Sequence, residues 1–565
     1  MSDFIALARL LAQPRLDAHT VAWRNGRPLP FPEFAAQAAA WYALFAAEPA
    51  LRFALYLDDS AQFAAALFGA WHAGKTVYLP GDAKPATLRR LALEVDGFAG
   101  DLPAEFEPLQ TPDPAPAPSW GALDERRAAL IVFTSGSNGE PASIPKRLSQ
   151  LAREVESLEA QFGAPLGDAV VHGTVSHQHI YGLLFRVLWP LCAGRAFNAR
   201  VLTFPEEIAT ALARGPAVLI ASPAHLKRLP DNPGWAEAAA QLRAIFSSGG
   251  PLSAEASAHV EKLLGLAPTE VYGSSETGGI ASRRRQQGRD APWQPLPGVA
   301  LRVDPATRLL YVRSPHLPDN VWIDTADRAR IDGAGLVLEG RADRIVKIDD
   351  KRISLTALEK TLSASPLLQD ARLIMLEGGR PALAVVAVPS EAGWELFHGE
   401  GKRALNQALR ALLIDSIEAR VLPRRWRYVW SMPVNSQGKT TQAMLSALFD
   451  PRRPHARPVA RTSETVTLAL TISARHPYLR SHPEAPPVVP AVAPLEWAEL
   501  FGREFFALPP DFQRMEAVEF PQPISPGATV TLQLDFVEAD GCLGFTIDSE
   551  QGRHASGRLY FGSGR

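Results

Sequence analysis

Apolar residues recur at helical spacing over 31–47 (FPEFAAQAAAWYALFAA), give way to a strand-like run at 52–59, and return to helical spacing over 61–74, where Gly74 ends the pattern. A further apolar run at 76–80 predicts the next strand. Strands alternating with helices predict a parallel sheet with helices packed on its faces. The Pro-rich stretch 111–121 (TPDPAPAPSWG) is a stiff surface connector, after which the same rhythm resumes. Four apolar residues, 130–133, read as a buried strand, 148–163 as a helix, and 217–223 as a strand with its exit loop. Residues 241–250 read as another buried strand opening onto glycines.

Beyond Val299 the strands become shorter and alternate with polar residues, as at 308–314 and 335–341. A second, small α/β unit follows from Arg344 to about Phe449, with a helix at 355–365 and strands at 371–377 and 384–389. Segment 450–463 (DPRRPHARPVARTS) is basic, carries three prolines and has no apolar period, so it reads as a linker. Residues 464–473, 528–538, 542–549 and 553–562 then alternate like half-buried strands, and 486–506 becomes helical after its prolines. One helix among antiparallel strands predicts a hot-dog fold. The expected fold class is a multidomain α/β protein: a large domain over 1–343, a small α+β domain over 344–449, the linker 450–463, and a hot-dog domain over 464–565.

The chain has 565 residues, which predicts about three to four domains. A net charge of −2 carries no basic footprint for nucleic acid. The two cysteines, Cys192 and Cys542, lie far apart and have no metal-binding spacing. The first residues, MSDFIALARLLAQPRLD, lack the long apolar core and cleavage site of a signal peptide. No run of 18 apolar residues is present, so no membrane span is expected and a soluble cytoplasmic protein is the default.

The stretch with most chemistry is LIVFTSGSNGEPASIPK, 130–146, in which Thr134, Ser135, Gly136, Ser137, Asn138 and Gly139 follow the apolar run. Glycines bring successive N–H groups close to an anion and the hydroxyls donate to the same oxygens, which makes a cradle for phosphates. An ordinary Ser/Gly turn has the same composition. No Gly-Lys-Ser/Thr closes the loop, so it is not a Walker loop. Further stretches follow in order: VSHQHIYGLL (175–184), FSSGGPL (246–252), VYGSSETGG (271–279), DTADRARIDGAGLVLEGRADRIVKI (324–348) and NSQGKT (435–440). Over roughly 130–442 the chain resembles the adenylate-forming superfamily of acyl- and aryl-CoA synthetases, peptide-synthetase adenylation domains and luciferases.

The resemblance implies an enzyme that activates a carboxylic acid with ATP and Mg²⁺. It assigns Glu276, in Tyr272-Gly273-Ser274-Ser275-Glu276, to the metal, Tyr272 to the adenine, and Gly249-Gly250-Pro251 to the opposite wall, with Gly273 and Ser275 in the nucleotide motif. Asp327 falls on the acid that chelates the ribose, Arg341 on the arginine beside it, and Asp343 on the hinge about which the small mobile domain turns. Lys439 falls on the lysine that enters the site during adenylation. The sequence departs from the family at Ala142, where a lysine usually follows the loop's proline, with Lys146 as the nearest substitute. It also departs at Asn138 for Thr, at Ala326 for Gly, and at Asp350 for Gly. His179 and Tyr181 resemble the acid-binding stretch of acyl- and aryl-acid ligases, whereas His177 and His179 also fit structural histidines. No Asp lies within 175–185 to pair with an α-ammonium, which favours an aromatic or aliphatic acid without an amine, and Gly278-Gly279 is expected to leave space at the pocket wall.

In the last domain, His482 through Val492 and then Glu496 resemble the pattern of 3-hydroxyacyl-carrier-protein dehydratases, with His482 and Glu496 on the base and acid. The Phe-Pro-Gly after that histidine is missing, and Ala491 replaces a glycine. A non-catalytic hot-dog used for dimerisation or carrier docking is the alternative. A ligase joined to a dehydratase-like module is the arrangement expected in aryl polyene or xanthomonadin-type pigment synthesis. The implied acceptor is then the phosphopantetheine thiol of an acyl carrier protein, and the implied assembly a homodimer. The alternatives are a medium- or long-chain fatty acyl-CoA synthetase using free coenzyme A, and a non-catalytic carrier-protein scaffold.

Overall fold

The computed structural model describes residues 4–562 apart from 14, 136–140, 232–233, 349–350, 377–381, 415–416, 418–420, 436–438, 463, 474–487, 507, 510 and 526. The chain forms two compact units, Met1–Asp343 with Val434–Thr441, and Arg344–Pro433 with Gln442–Arg565.

The first unit holds a nine-stranded sheet in the order Gln294–Pro295, Gly278–Arg284, Thr269–Ser274, Leu242–Ser247, Ala217–Ala221, Val170–Gly173, Phe197–Asn198, Thr20–Arg24, Arg27–Pro30. Its middle strands, from Thr269–Ser274 to Thr20–Arg24, run parallel. A second sheet orders Gly97–Gly100, Arg52–Tyr56, Thr76–Leu79, Ala128–Ser135 and Pro141–Arg147, the last turning back antiparallel. Ala300–Val303, Leu309–Arg313, Ile323–Asp332 and Gly335–Arg341 make a four-stranded antiparallel sheet. The helix Ser60–His72 is apolar all round and is correspondingly buried on all sides, with Phe63, Leu67 and Phe68 inaccessible. Asp59 caps it, accepting from Ala61 and Gln62 N–H at 2.9 Å while Arg24 holds the same carboxylate at 2.6 Å. Gly69 lets the Phe31–Ala47 helix close against it, because a Cβ there would lie 2.7 Å from Trp41 Cβ. The hairpin Thr20–Arg24/Arg27–Pro30 and the strands Gly97–Gly100 and Pro141–Arg147 go beyond what the hydrophobic pattern predicts.

Cys192 is buried and Cys542 half-buried, both as free thiols. Burial raises the Cys192 thiol pKa, and the N-terminal segment is laced over this residue: Ile5 N–H and Arg15 Nη2 donate to its carbonyl at 2.8 and 2.7 Å. Among the described residues, no helix is long and apolar enough to cross a membrane.

In the second unit, Leu368–Leu376 and Ala382–Pro389 pair antiparallel and Arg425–Tyr428 adds in parallel. Helices Leu355–Ser363 and Lys402–Ala411 supply Leu358, Leu362, Leu405 and Leu409 to the core over this sheet. A six-stranded antiparallel sheet follows, ordered His455–Arg461, Thr465–Thr471, Thr529–Val537, Cys542–Ser549, Gly552–Gly562, Asp511–Glu519. The helix Val492–Phe505 buries Trp497, Ala498 and Phe501 among Leu468, Leu532 and Leu543 of that sheet, giving the hot-dog arrangement. The stretch read as a linker is corrected here: His455–Arg461 is the first edge strand, with Ala456 opposite Leu470 and Arg457 opposite Ala469. Its proline and basic residues disguised it, and both are what an edge strand tolerates.

Candidate active site

The strand Thr269–Ser274 carries Tyr272 and Gly273 into a tight turn and returns as Gly278–Arg284. Gly273 is required there, since a Cβ would lie 2.4 Å from the Gly278 carbonyl oxygen. Ser274 and Thr277 close the turn through reciprocal bonds, each backbone N–H donating to the other's hydroxyl at 3.2 Å. That leaves Glu276 exposed at the tip, with Ser275 partly exposed beside it.

Beneath the turn lies a buried polar frame. Glu154, on the helix Leu148–Leu158, accepts from Gly279 N–H at 2.6 Å, and His316 Nδ1 donates to the Gly279 carbonyl at 2.9 Å. Lys146 Nζ donates to the Glu276 carbonyl at 3.2 Å and is 1% exposed. Burial lowers the Lys146 pKa, while the Glu154 and Glu276 charges raise it. Lys146, expected as the nearest substitute for the phosphate-loop lysine, supports the acid-bearing turn from inside. One expectation is corrected. Gly278 does not open a pocket wall: its φ is +70°, and Glu154 and His316 already fill the space a Cβ would take.

At the start of the turn, Tyr272 Oη donates to Asp327 Oδ2 at 2.5 Å. Burial, and then the Asp327 charge, raise the Tyr272 pKa, so it remains a donor. Asp327 and Arg341 are direct cross-strand partners, with Arg341 Nη1 3.8 Å from Asp327 Oδ1. Ala326, where the family has Gly, adopts φ +58°, a conformation unfavourable for a residue with a Cβ. Gly249, Gly250 and Pro251 are exposed after the strand Leu242–Ser247, and Ser248 Oγ ties that loop to the Val271 carbonyl at 2.8 Å.

Lys439 lies in Val434–Thr441, part of this first unit. Its backbone N–H donates to Asn435 Oδ1 at 3.0 Å, and a Cβ on Gly249 would stand 3.7 Å from its Cε. Burial lowers the Lys439 pKa and Glu276 raises it; burial, then the Lys439 charge, hold His179 down at about 3. Glu276, His179 and Lys439 therefore share one electrostatic neighbourhood. Near them, at the carboxyl ends of the parallel strands Val170–Gly173 and Leu242–Ser247, several polar atoms are buried and, among the described residues, without a partner: Thr174 Oγ1, Ser247 Oγ, His179 Nε2 and both amide atoms of Gln178. Such atoms are unusual in a native fold, and an entering ligand or water would supply their partners. Gln178, Glu154 and His316 carry no signal in the local pattern that would have marked them. His177 is structural, with Nδ1 2.9 Å from Ser60 Oγ and Nε2 2.8 Å from the Leu57 carbonyl. Tyr181 Oη donates to the Ala221 carbonyl at 3.2 Å.

Thr134 and Ser135 end the strand Ala128–Ser135, opposite Ala142 and Pro141. Gly136, Ser137, Asn138 and Gly139 lie outside the described residues, as do Asp350 and His482. Asp343 is the last residue of its unit before Arg344 opens the second. Glu496 is on the exposed side of the helix Val492–Phe505. Among the described residues no three His, Cys, Asp or Glu side chains could hold a metal together. A lone exposed carboxylate suits Mg²⁺ that takes its remaining ligands from phosphates and water.

Two family models match the chain: AMP-binding enzyme over residues 81–315, and ApeI dehydratase over residues 459–558, the latter starting within the edge strand described above. A 4-coumarate–CoA ligase of Rhodobacter capsulatus is 31% identical over 333 residues, spanning 56% of this chain and 76% of that protein. The fold is similar to the ATP-bound RpMatB–BxBclM chimera B1, with TM-score 0.68, 20% identity, and 80% and 99% of the two chains covered. It is also similar to a benzoate CoA ligase from Burkholderia xenovorans, with TM-score 0.62, 18% identity, and 78% and 100% covered.

Proposed function

We propose, because the chain belongs to the adenylate-forming family of AMP-binding enzymes and ends in an ApeI-like dehydratase domain, that it adenylates a hydroxylated aromatic acid and passes the acyl group to a pantetheine thiol. The thiol is that of an acyl carrier protein, and the product feeds an aryl polyene-like pigment. The observation that carries this reading is the grouping of Lys439 with Glu276 and His179 beside buried, unpartnered polar atoms.

The first step joins a carboxylate oxygen of the acid to the α-phosphorus of ATP and expels pyrophosphate. The second joins the thiol sulfur to the acyl carbon and expels AMP. Lys439 supplies positive charge toward the carboxylate and the α-phosphate. Tyr272 and Asp327 hold the nucleoside, with Arg341 beside them. A divalent cation on Glu276 would neutralise phosphate charge as pyrophosphate departs. His179, neutral throughout the working pH range, contributes a hydrogen bond rather than a charge.

Gln178 favours a hydroxylated acid over a fatty chain, because a site built to hydrogen-bond rejects a substrate that leaves its buried polar atoms unpaired. The absence of any Asp in 175–185 argues against an amino acid. A dehydratase step by the last domain is a subordinate part of the proposal, with Glu496 as its acid and His482 as its base.

Pyrophosphate release with a panel of hydroxybenzoic, cinnamic and fatty acids, with and without carrier protein, tests the whole reading. Turnover of hydroxylated aromatic acids with acylation of the carrier is expected. Turnover of fatty acids with free coenzyme A alone supports the fatty acyl-CoA synthetase instead, and no turnover at all supports a scaffold. Lys439→Ala is expected to abolish pyrophosphate release while a supplied acyl-adenylate still reacts with thiol.

A further inference from the structure

The second unit contains a cavity of about 310 Å³ whose lining is strongly basic. Among the described residues, Lys402, Arg424, Arg425, Arg427, Arg453 and His455 line it, against a single acid, Asp450. Its walls come from the start of the helix Lys402–Ala411, the strand Arg425–Tyr428, and the first two strands of the hot-dog sheet, His455–Arg461 and Thr465–Thr471. It exists because the hot-dog module follows the small α+β domain.

The charges there are poorly compensated. Asp450 is engaged by Arg452, whose backbone N–H donates to it at 2.8 Å and whose Nη2 lies 3.4 Å away. Arg453 is paired with Glu504 at 2.5 Å. Among the described residues, Lys402, Arg424, Arg425 and Arg427 make no ion pair, and three of them donate to neutral acceptors. Lys402 Nζ reaches the Trp426 carbonyl at 2.9 Å, Arg425 Nη2 the Phe449 carbonyl at 3.4 Å, and Arg427 Nε the Leu448 carbonyl at 2.8 Å. Arg427 Nη1 also donates to His455 Nε2 at 2.8 Å, so the imidazole is neutral. Burial, followed by repulsion from neighbouring cations, lowers Lys402 to about 8, Arg427 to about 10 and His455 to about 3. Half-buried Lys402 and Arg427, flanked by exposed Arg424 and Arg425 and without an acid partner among the described residues, are stabilised by an anion that enters among them. The volume falls at the low end for small-ligand pockets, roughly 300–1,000 Å³, enough for a phosphate and part of the chain attached to it.

We propose that this cavity binds a phosphate ester, the phosphate of the pantetheine-bearing thiol substrate. The anion site stands on the cavity itself; identifying its occupant with the thiol substrate rests on the ligase reading above. Coenzyme A and a carrier's phosphopantetheine share this chemistry.

The test measures binding of coenzyme A, 3′-dephospho-coenzyme A and 4′-phosphopantetheine to the full chain by calorimetry at low and high salt. It compares the wild type with Arg424→Gln/Arg425→Gln and, separately, with Thr471→Glu, all at exposed positions, with unchanged far-UV circular dichroism checking the fold of each. Saturable, salt-sensitive binding is expected, weakened at least about tenfold in either variant, with ATP–pyrophosphate exchange unchanged. Coenzyme A binding more tightly than its dephospho form would identify the 3′-phosphate as the seated group; equal affinities for all three would identify the pantetheine phosphate. Wild-type affinity in both variants, or no saturable binding by any probe, overturns the site. Loss of pyrophosphate exchange in the wild type would instead overturn the ligase reading, so the two failures are distinct.

Discussion

In the proposed reading Tyr272 combines an aromatic wall with a hydroxyl that holds Asp327, and the two contributions are separable. Tyr272→Phe retains the ring and deletes one hydrogen bond to a carboxylate, worth about 1.5–3 kcal/mol. The expected result is a KM for ATP raised roughly tenfold or more with kcat nearly unchanged, read from initial rates of pyrophosphate release. A fall in kcat alone would mean that the bond acts in the transition state instead. At this scale the local pattern is silent wherever a partner arrives from far along the chain. His177 and His179 look alike in SHQHIYG. Only the fold, bringing Ser60 and Leu57 from 117 and 120 residues away, makes the first structural and leaves the Nε2 of the second without a partner among the described residues. Lys146 is the same lesson: its place in PASIPKR suggests a phosphate ligand, and its burial beneath Glu276 comes from packing that no local pattern encodes.

Elements with one buried face were legible; those at edges were not. The helix at 31–47 and the strand at 335–341 appear with the bounds their pattern predicts. The Thr20–Arg24/Arg27–Pro30 hairpin carries a plain turn signal, Asn25-Gly26, and both residues take positive φ, +52° and +78°. Its flanks hold Pro28 and Pro30 and alternate too little to register as strands. The two outer strands of the hot-dog sheet, His455–Arg461 and Asp511–Glu519, were missed because an edge does not require regular apolar alternation. The second of these exposes Phe512 and Met515, about half accessible each (49% and 54%). If the proposed homodimer uses this strand, Phe512→Lys/Met515→Lys is expected to give monomers by light scattering with little change in melting temperature. An unchanged mass would remove the strand from the interface.

For the molecule as a whole, several buried histidines set the response to acid. His72, His172 and His225 are lowered to about 4, and His177 and His179 to about 3, each chiefly by burial; all five belong to the first unit. His455 of the second unit is exposed, so solvent screens its contribution. An unfolded histidine protonates near pH 6.5, so below that the unfolded chain binds more protons than the native one and stability falls as pH drops toward 4 and then 3. Urea midpoints measured from about pH 8 to about pH 5 are expected to decline, and more steeply for the first unit. Flat midpoints would mean that these imidazoles protonate without unfolding. The N-terminal segment tied over Cys192 has a practical corollary. A maleimide pulse on the native chain is expected to tag Cys542 at once and Cys192 only when residues 5 and 15 let go of its carbonyl, so the slow second tag becomes a clock for the opening of that end of the protein, written in a covalent mark that mass spectrometry can count.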